Sequence, residues 1–287
     1  MHLLIEQLLN GMAMGSIYAL VTLGLALVYG IMRILHVAHA AVFTIGAYVG
    51  LFLFNVTGSL AFAFVGSMAC CAGAGVMIER FIYFPLMKYP PYVPLIGSIA
   101  VMLAVEEACR LVAGPYILTF PAKLPFPEVY LGDIHITSAQ LAVYVITALV
   151  LLVLWYITSR TELGLAMRAA SQDMTIAGAM GMNSHVIVTI TFVMGSAIAA
   201  IAGILVGIYY NQVYPTMGAV PAYKTLALIV VGGLGSVPGA VIASLLLGLA
   251  ETLLIGYANI PLPRDALAFI AMILVLMWRS EGLLGSR

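Results

Sequence analysis

The sequence predicts an all-α polytopic membrane protein, a bundle of eight or nine transmembrane helices. Two compositional facts support this: 64% of the 287 residues are hydrophobic and only 8% are charged. Soluble domains carry about 25% charged residues, so a water-solvated fold is excluded. The chain also contains eight or nine continuous apolar runs of roughly the 20 residues that a spanning helix needs. A transmembrane barrel would show short alternating segments instead.

Charge and cysteine usage narrow the class further. The formal net charge is zero, which argues against nucleic acid as a partner. The three cysteines lie inside apolar runs without a CxxC spacing and are interpreted as packing residues. The N-terminus lacks a basic region and a clear cleavage site, so the first apolar run is predicted to be a retained span. A single transmembrane domain over residues 1–287 is expected.

The first four spans are predicted at about 8–32, 39–55, 59–78 and 93–112. Glycines in the first span allow close helix packing. The fourth is unusual because it contains Glu106, Glu107 and Arg110. Charges within a span usually face a bundle interior or a water-filled cavity. Glu106 and Arg110 are four residues apart and can pair on one helix face, so neutralisation and a role in permeation both remain open.

An outer loop is predicted at about 114–137, with four prolines and with Lys123, Glu128 and Asp133. The fifth span follows at 140–157 and the sixth at 186–210. Residues 219–256 are apolar but are interrupted by the glycine-rich stretch 232–239. Such a break at membrane depth must be buried in protein or line a cavity. It indicates either two short crossings or one span joined to a half-helix, a Gly-rich broken helix. The last span is predicted at 266–278.

Basic residues in short loops indicate the orientation. A consistent arrangement places the N-terminus outside and requires two crossings around the glycine-rich stretch, giving nine in all. The basic residues that then lie on the cytoplasmic side are Arg33, Arg80, Lys88, Arg160, Arg168, Arg279 and Arg287.

Two spans are joined by a polar segment, about 160–185, that predicts two short helices. Thr161 can cap the first, with Glu162 in its first turn. Ser171 and Asp173 are candidate caps for a second helix at 174–180, and Asn183 and Ser184 can cap the sixth span. The segment is interpreted as a folded element at the membrane surface on which another protein could push. An interfacial amphipathic hairpin without a partner is the alternative.

This segment resembles the cytoplasmic coupling loop of ABC importer permeases of the branched-chain amino acid family. That family has an Arg-x-x-x-x-Leu-Gly-x-x-x-Arg-Ala-x-x-x-Asp pattern followed by Ala-x-x-x-Gly. The matching residues here, with slightly different spacing near the start, are Arg160, Leu163, Gly164, Arg168, Ala169, Asp173, Ala177 and Gly181. Three other segments resemble the family in the same order: 15–31, 36–39 (with His36 where Asn is usual) and 232–240.

The resemblance implies one membrane subunit of an importer in a bacterial-type inner membrane. Its implied partners are a second related permease, two cytoplasmic ATPases and an external substrate-binding protein. A heterodimer is expected and a homodimer stays open. The chain has no Walker motif, so ATP and Mg would be bound by the ATPases and no cofactor or catalytic residue is expected here. The residues implied in coupling to the ATPases are Glu162, Leu163, Gly164, Arg168, Ala169, Asp173, Gly178 and Gly181.

The translocation path is predicted along the first two spans and the glycine-rich stretch. Its candidate residues are Tyr18, His36, His39, Gly46, Gly232, Gly233 and Gly235. Branched-chain or other hydrophobic amino acids are the expected substrates.

Three alternatives remain. Glu106 and Glu107 depart from the neutral residues expected in the family, which leaves urea, amides or aromatic acids as substrates. Broken helices with intramembrane charges also suit a self-contained proton-coupled transporter. A membrane enzyme using His36 and His39 as metal ligands would need further ligands on other spans.

Overall fold

The computed structural model describes residues 2–122, 124–131, 134–258, 263–279 and 281–284. Lys123, Asp133 and Arg287, which enter the predictions above, lie outside this part of the chain. The helices are α1 (His2–Met32), α2 (His39–Thr57), α3 (Leu60–Ile78), α4 (Phe84–Leu86), α5 (Tyr92–Ala113), α6 (Ser138–Arg160), α7 (Glu162–Gln172), α8 (Met174–Ala179), α9 (Ser184–Tyr210), α10 (Ala219–Gly232), α11 (Val237–Glu251) and α12 (Arg264–Trp278). Two π-helical segments, Glu79–Tyr83 and Thr252–Tyr257, continue α3 and α11.

Within the described residues, six helices are long and apolar enough to cross a membrane. They are His2–Met32, His39–Thr57, Leu60–Leu86, Ser138–Arg160, Ser184–Tyr210 and Val237–Tyr257. The chain is therefore a multi-pass helical membrane protein. The count of eight or nine crossings is not confirmed, because α5 carries three charges and α10 and α12 have only 14 and 15 residues.

The predicted outer loop contains a short β-hairpin in addition to extended chain. Strands β1 (Val129–Leu131) and β2 (Ile134–Ile136) pair antiparallel, with Val129 opposite Ile136. β-Branched and aromatic residues favour this pairing. The loop is also tied to the bundle, because Leu118 and Val213 exchange backbone hydrogen bonds of 2.8 Å.

Helix α1 forms the centre of the bundle. It is buried over most of its length, from Gly11 to Val28, and packs against α9 and α11. Glycines make this close approach possible. A Cβ atom at Gly248 of α11 would overlap the backbone of Gly15, and one at Gly15 would meet Leu245.

The glycine-rich stretch forms a turn between two separate helices. Helix α10 ends at Gly232, and Gly233 and Gly235 have positive φ values of 105° and 85°. The Ser236 hydroxyl then caps α11 by accepting from the Gly239 amide at 3.2 Å. Helices α10 and α11 run back along each other, so a single broken helix is not confirmed.

Candidate functional site

The first candidate site is the pair of short helices α7 and α8, which form as predicted. The Thr161 hydroxyl accepts from the Gly164 amide at 3.2 Å and starts α7. The Asp173 carboxylate accepts from the amides of Thr175 and Ile176 at 2.7 and 3.0 Å and starts α8. These amide donors favour the ionised carboxylate and lower the pKa of Asp173. Asn183 caps α9 in the same way.

Helix α7 packs tightly on the end of α6. Gly164 is buried, and a Cβ there would overlap the carbonyl groups of Ile157 and Thr158. Met167 and Ala170 cover the same side. Both short helices also carry exposed apolar side chains: Leu165 on α7 is 61% exposed, Ile176 on α8 is 63% exposed, and Met180 at the end of α8 is 80% exposed. We call these three side chains the α7–α8 surface.

Two arginines connect α7 to the bundle. The Arg168 guanidinium donates to the Thr158 carbonyl, and Arg33, at the end of α1, donates to the Ser171 carbonyl at 3.4 Å. A cavity of about 280 Å³ lies between α1, α7 and the glycine-rich turn, lined in part by Gly30, Met167 and Gly235. A displacement of α7 would therefore act on the ends of α1 and α6, to which the two arginines connect it.

The remaining predicted coupling residues lie on or beside these helices. Glu162 and Gly178 are exposed, and Leu163 and Ala169 are half-buried. Gly181 is exposed with φ of 89° and ends the α8 turn. Their role in coupling stays a prediction.

A second cavity lies at the opposite end of the bundle. Its volume is about 250 Å³ and it is enclosed by α1, the end of α9, the following connection and α10. Most of its wall is apolar, with Met14, Val21 and Val206 among the lining residues, and Tyr18 and Lys224 supply polar atoms. We call it the outer cavity, because it shares this end with the predicted outer loop.

Lys224 belongs to a buried network of charged and hydroxyl groups. Its Nζ atom lies 2.9 Å from Glu251 Oε1, 3.1 Å from Asp265 Oδ1 and 2.9 Å from the Tyr18 hydroxyl. Tyr18 donates to Glu251 Oε2 at 2.8 Å, and Tyr223 donates to Asp265 Oδ2 at 2.6 Å. Only Asp265 is substantially exposed, at 45% of its side chain. Buried charges require such pairing, because each alone would cost several kcal/mol.

Lys224, Glu251 and Asp265 are not among the site residues that the sequence predicts. The available signal was an isolated lysine and an isolated glutamate inside the apolar stretch 219–256. Ionisable residues at membrane depth are functional-site candidates by default.

The predicted path residues do not converge on one cavity. Tyr18 lines the outer cavity and Gly235 the cavity beside α7. Gly46 and Gly232 are packing positions, where a Cβ would overlap Ala200 and Gly239 respectively. Gly233 supplies a positive φ in the turn.

The sequence model of the family described as "Branched-chain amino acid transport system / permease component" matches residues 7–277. This chain belongs to that family.

Individual relatives agree with this assignment. The permease is 34% identical to the high-affinity branched-chain amino acid transport system permease protein BraD of Pseudomonas aeruginosa, covering 98% of this chain and 95% of the relative. It is 32% identical to the corresponding protein LivH of Escherichia coli K12, with the same coverages. A probable LivH of Methanocaldococcus jannaschii is 24% identical over 84% of this chain and 78% of that relative.

Like these relatives, the permease is a transport component and not an enzyme. The membrane-enzyme interpretation of the two histidines is therefore wrong. Within the described residues, no group of three His, Cys, Asp or Glu side chains is placed to hold a metal ion.

The predicted charges of α5 pair with one another. Arg110 lies 3.0 Å from Glu106 and 2.7 Å from Glu107. Glu107 and Arg110 have 61% and 41% exposed side chains, and Glu106 has 17%. Glu107 and Arg110 thus lie on the outside of the permease and Glu106 is half-buried beside α2, and none of the three lines the outer cavity. A role in permeation stays a prediction.

His36 and His39 are packed inside the permease and line neither of these two cavities. His36 Nδ1 lies 2.6 Å from the buried Tyr83 hydroxyl, and its ring packs against Phe192 with centroids 5.1 Å apart. His39 Nε2 donates to the Val21 carbonyl at 3.1 Å. Both rings are at most 2% exposed, so their evident contribution is to the junction of α1, α2 and α9.

We expect Tyr83→Phe to destabilise the permease by about 1–3 kcal/mol, because it leaves the buried His36 without its hydroxyl partner. Thermal unfolding in detergent measures the effect. Tyr89→Phe is the matched control, since Tyr89 is 52% exposed. Equal unfolding temperatures for the two variants would contradict the structural role of this hydrogen bond.

Proposed function

We propose that this permease is a membrane subunit of an ATP-driven importer for branched-chain or other hydrophobic amino acids. Two cytoplasmic ATPases, which hold ATP and Mg, act on the α7–α8 surface. A second related permease completes the membrane path, and an external substrate-binding protein delivers the solute. The proposed location is a bacterial-type inner membrane.

The observation that carries the proposal is the α7–α8 surface. Two individually capped helices present Leu165, Ile176 and Met180 to the outside of the chain. Exposed apolar groups gathered on a folded element are typical of a protein contact. Because Arg33 and Arg168 join this element to α1 and α6, a push from the ATPases would be transmitted to the bundle.

The orientation that suits this function has nine crossings, with α5, α10 and α12 added to the six long helices. The N-terminus is then outside, and the α7–α8 surface and the glycine-rich turn are both cytoplasmic. ATP binding and hydrolysis would alternate the bundle between outward- and inward-open states, with the energy coming from the ATPases rather than from the solute.

A self-contained proton-coupled transporter is the second candidate, because the Lys224–Glu251 pair is a buried ionisable group of the kind that such transporters use. It predicts uptake by the permease alone, driven by a proton gradient.

The deciding experiment compares two kinds of liposome. One contains the complete complex with ATP inside, and the other contains the purified permease with an imposed proton gradient. Labelled leucine, urea, acetamide and benzoate are offered to each. ATP-dependent leucine uptake by the complex alone is expected. Uptake by the permease alone would overturn the proposal, and uptake of urea, acetamide or benzoate instead of leucine would overturn its substrate.

A further inference from the structure

The outer cavity combines an apolar wall with one ammonium group. Lys224 is 2% exposed, yet it lines the cavity together with Tyr18. Much of the remaining lining is aliphatic or thioether, including Met14, Ile17 and Val206, and Gln212 and Thr225 add neutral polar groups. Pockets that bind small molecules have this composition: mostly apolar surface with a few placed polar groups.

Lys224 is shared by two carboxylates. Its Nζ atom lies 2.9 Å from Glu251 Oε1 and 3.1 Å from Asp265 Oδ1. One ammonium group therefore faces two negative groups, and a second ammonium group, such as that of an amino acid, would compensate the other carboxylate.

The contact between Lys224 and Asp265 is the one that a solute can replace. It is the longest of the three contacts of Nζ, at 3.1 Å, and Asp265 is its only exposed acceptor. Asp265 keeps its hydrogen bond from Tyr223 if Lys224 turns to another carboxylate. The Asp265 carboxylate would then be available to a solute ammonium group.

The cavity has the right size for an aliphatic amino acid. Its volume of about 250 Å³ lies just below the range of about 300–1,000 Å³ that pockets for drug-sized molecules have, which suits a smaller solute such as an amino acid.

The backbone next to Glu251 is irregular as well. The π-helical segment Thr252–Tyr257 begins directly after this buried carboxylate. π-Helical turns are rare and occur often at functional sites.

We propose that the outer cavity is an amino-acid-binding site within the membrane path itself. The α-carboxylate of the solute accepts from Lys224 in place of Asp265, the α-ammonium lies toward the Asp265 carboxylate that Lys224 releases, and the aliphatic side chain contacts the apolar wall. Tyr18 keeps its hydrogen bond to Glu251 and contributes its ring to the lining. This inference rests on the proposed function for the identity of the solute. A purely structural ion pair is the competing explanation.

The first test measures binding without the substrate-binding protein. The purified complex of permeases and ATPases is titrated with L-leucine, L-leucinamide and 4-methylpentanoate, and the thermal unfolding temperature is recorded, since a ligand of the folded state raises it. L-Leucine should raise the unfolding temperature at a concentration at least ten times lower than either analogue needs for the same rise. An equal response to all three, or none to leucine, overturns the site.

A cavity-filling variant identifies where leucine binds. Val220 lines the outer cavity and is 38% exposed, so Val220→Trp can fill it without disturbing the core. Val145→Trp on α6 is the control, because Val145 is 48% exposed and does not line the cavity. Leucine should stabilise the control like the wild type and lose at least tenfold in affinity for Val220→Trp. Equal affinities would place the ligand elsewhere.

A paired substitution separates ligand binding from structure. Lys224→Met alone leaves Glu251 buried and unpaired, whereas Lys224→Met with Glu251→Met removes both charges. The double variant should recover the yield of folded complex, but its leucine uptake should stay at least tenfold below wild type. Recovery of uptake as well would assign the pair a structural role only.

Failure of this site and failure of the proposed function give different results. If leucine binding is absent while the ATPases co-purify and ATP-dependent uptake continues, only the site is refuted. If the ATPases do not co-purify with wild-type permease, the importer itself is refuted.

Discussion

A single carboxylate on the α7–α8 surface is expected to abolish ATP-driven uptake while leaving the bundle folded. Ile176→Glu and Leu165→Glu each place a charge at a side chain that is more than half exposed in this chain. Folding is therefore little affected. If the ATPases cover this surface, the charge becomes buried without a partner, which costs several kcal/mol. A loss of about 1.4 kcal/mol in binding free energy weakens affinity tenfold. The affinity of the permease for the ATPases, and with it their co-purification, should therefore fall at least a hundredfold.

Thr175→Glu is the control for this effect. Thr175 is exposed and lies beside Ile176 in the first turn of α8. Its replacement by glutamate adds the same charge on a different side of the helix. A carboxylate is tolerated in a first turn, near the positive end of the helix dipole. Pull-down of the ATPases and leucine uptake in liposomes are measured for all three variants. Full uptake by both Ile176→Glu and Leu165→Glu would show that the ATPases bind elsewhere.

The sequence was sufficient to predict α7 and α8 because their determinants are local. Thr161, Asp173 and Asn183 each accept from a backbone amide two or three residues ahead. Such caps depend on side-chain type and spacing alone. The pairing of Glu106 with Arg110 is local as well, because residues four apart are neighbours on the surface of a helix.

The outer cavity could not be predicted in this way. Lys224 contacts Tyr18, which is 206 positions away in the sequence, and Glu251, which is 27 positions away. Only the packing of α10 and α11 against α1 brings them together. The sequence predicts an interruption at 232–239, where the turn between α10 and α11 lies, but nothing local distinguishes a broken span from two helices that fold back on each other. Residue type alone places His36 and His39 among the predicted path residues, whereas their burial against Tyr83 and Val21 depends on the whole bundle.

The contact between α1 and α11 supports both proposed sites, since α1 reaches from the outer cavity to α7. Gly248→Ala, which adds one methyl group, should therefore have a large effect. Its Cβ would overlap the Gly15 amide and the Gly11 carbonyl, which are backbone atoms and cannot rotate away. Overpacking of this kind costs typically 1–3 kcal/mol, and we expect about 3 kcal/mol here, because relief requires the helices to separate.

Gly73→Ala is the matched control for Gly248→Ala. Gly73 also lies inside a long apolar helix, α3, but nothing lies within 4 Å of a Cβ at that position. Alanine is favoured over glycine in a helix by about 1 kcal/mol, so this variant should be as stable as the wild type or more so. Thermal unfolding and the yield of monodisperse protein in detergent measure both. Because the two substitutions are chemically identical, a selective loss at Gly248 isolates the steric contact between α1 and α11. Equal stability would mean that these helices lie further apart in the folded permease.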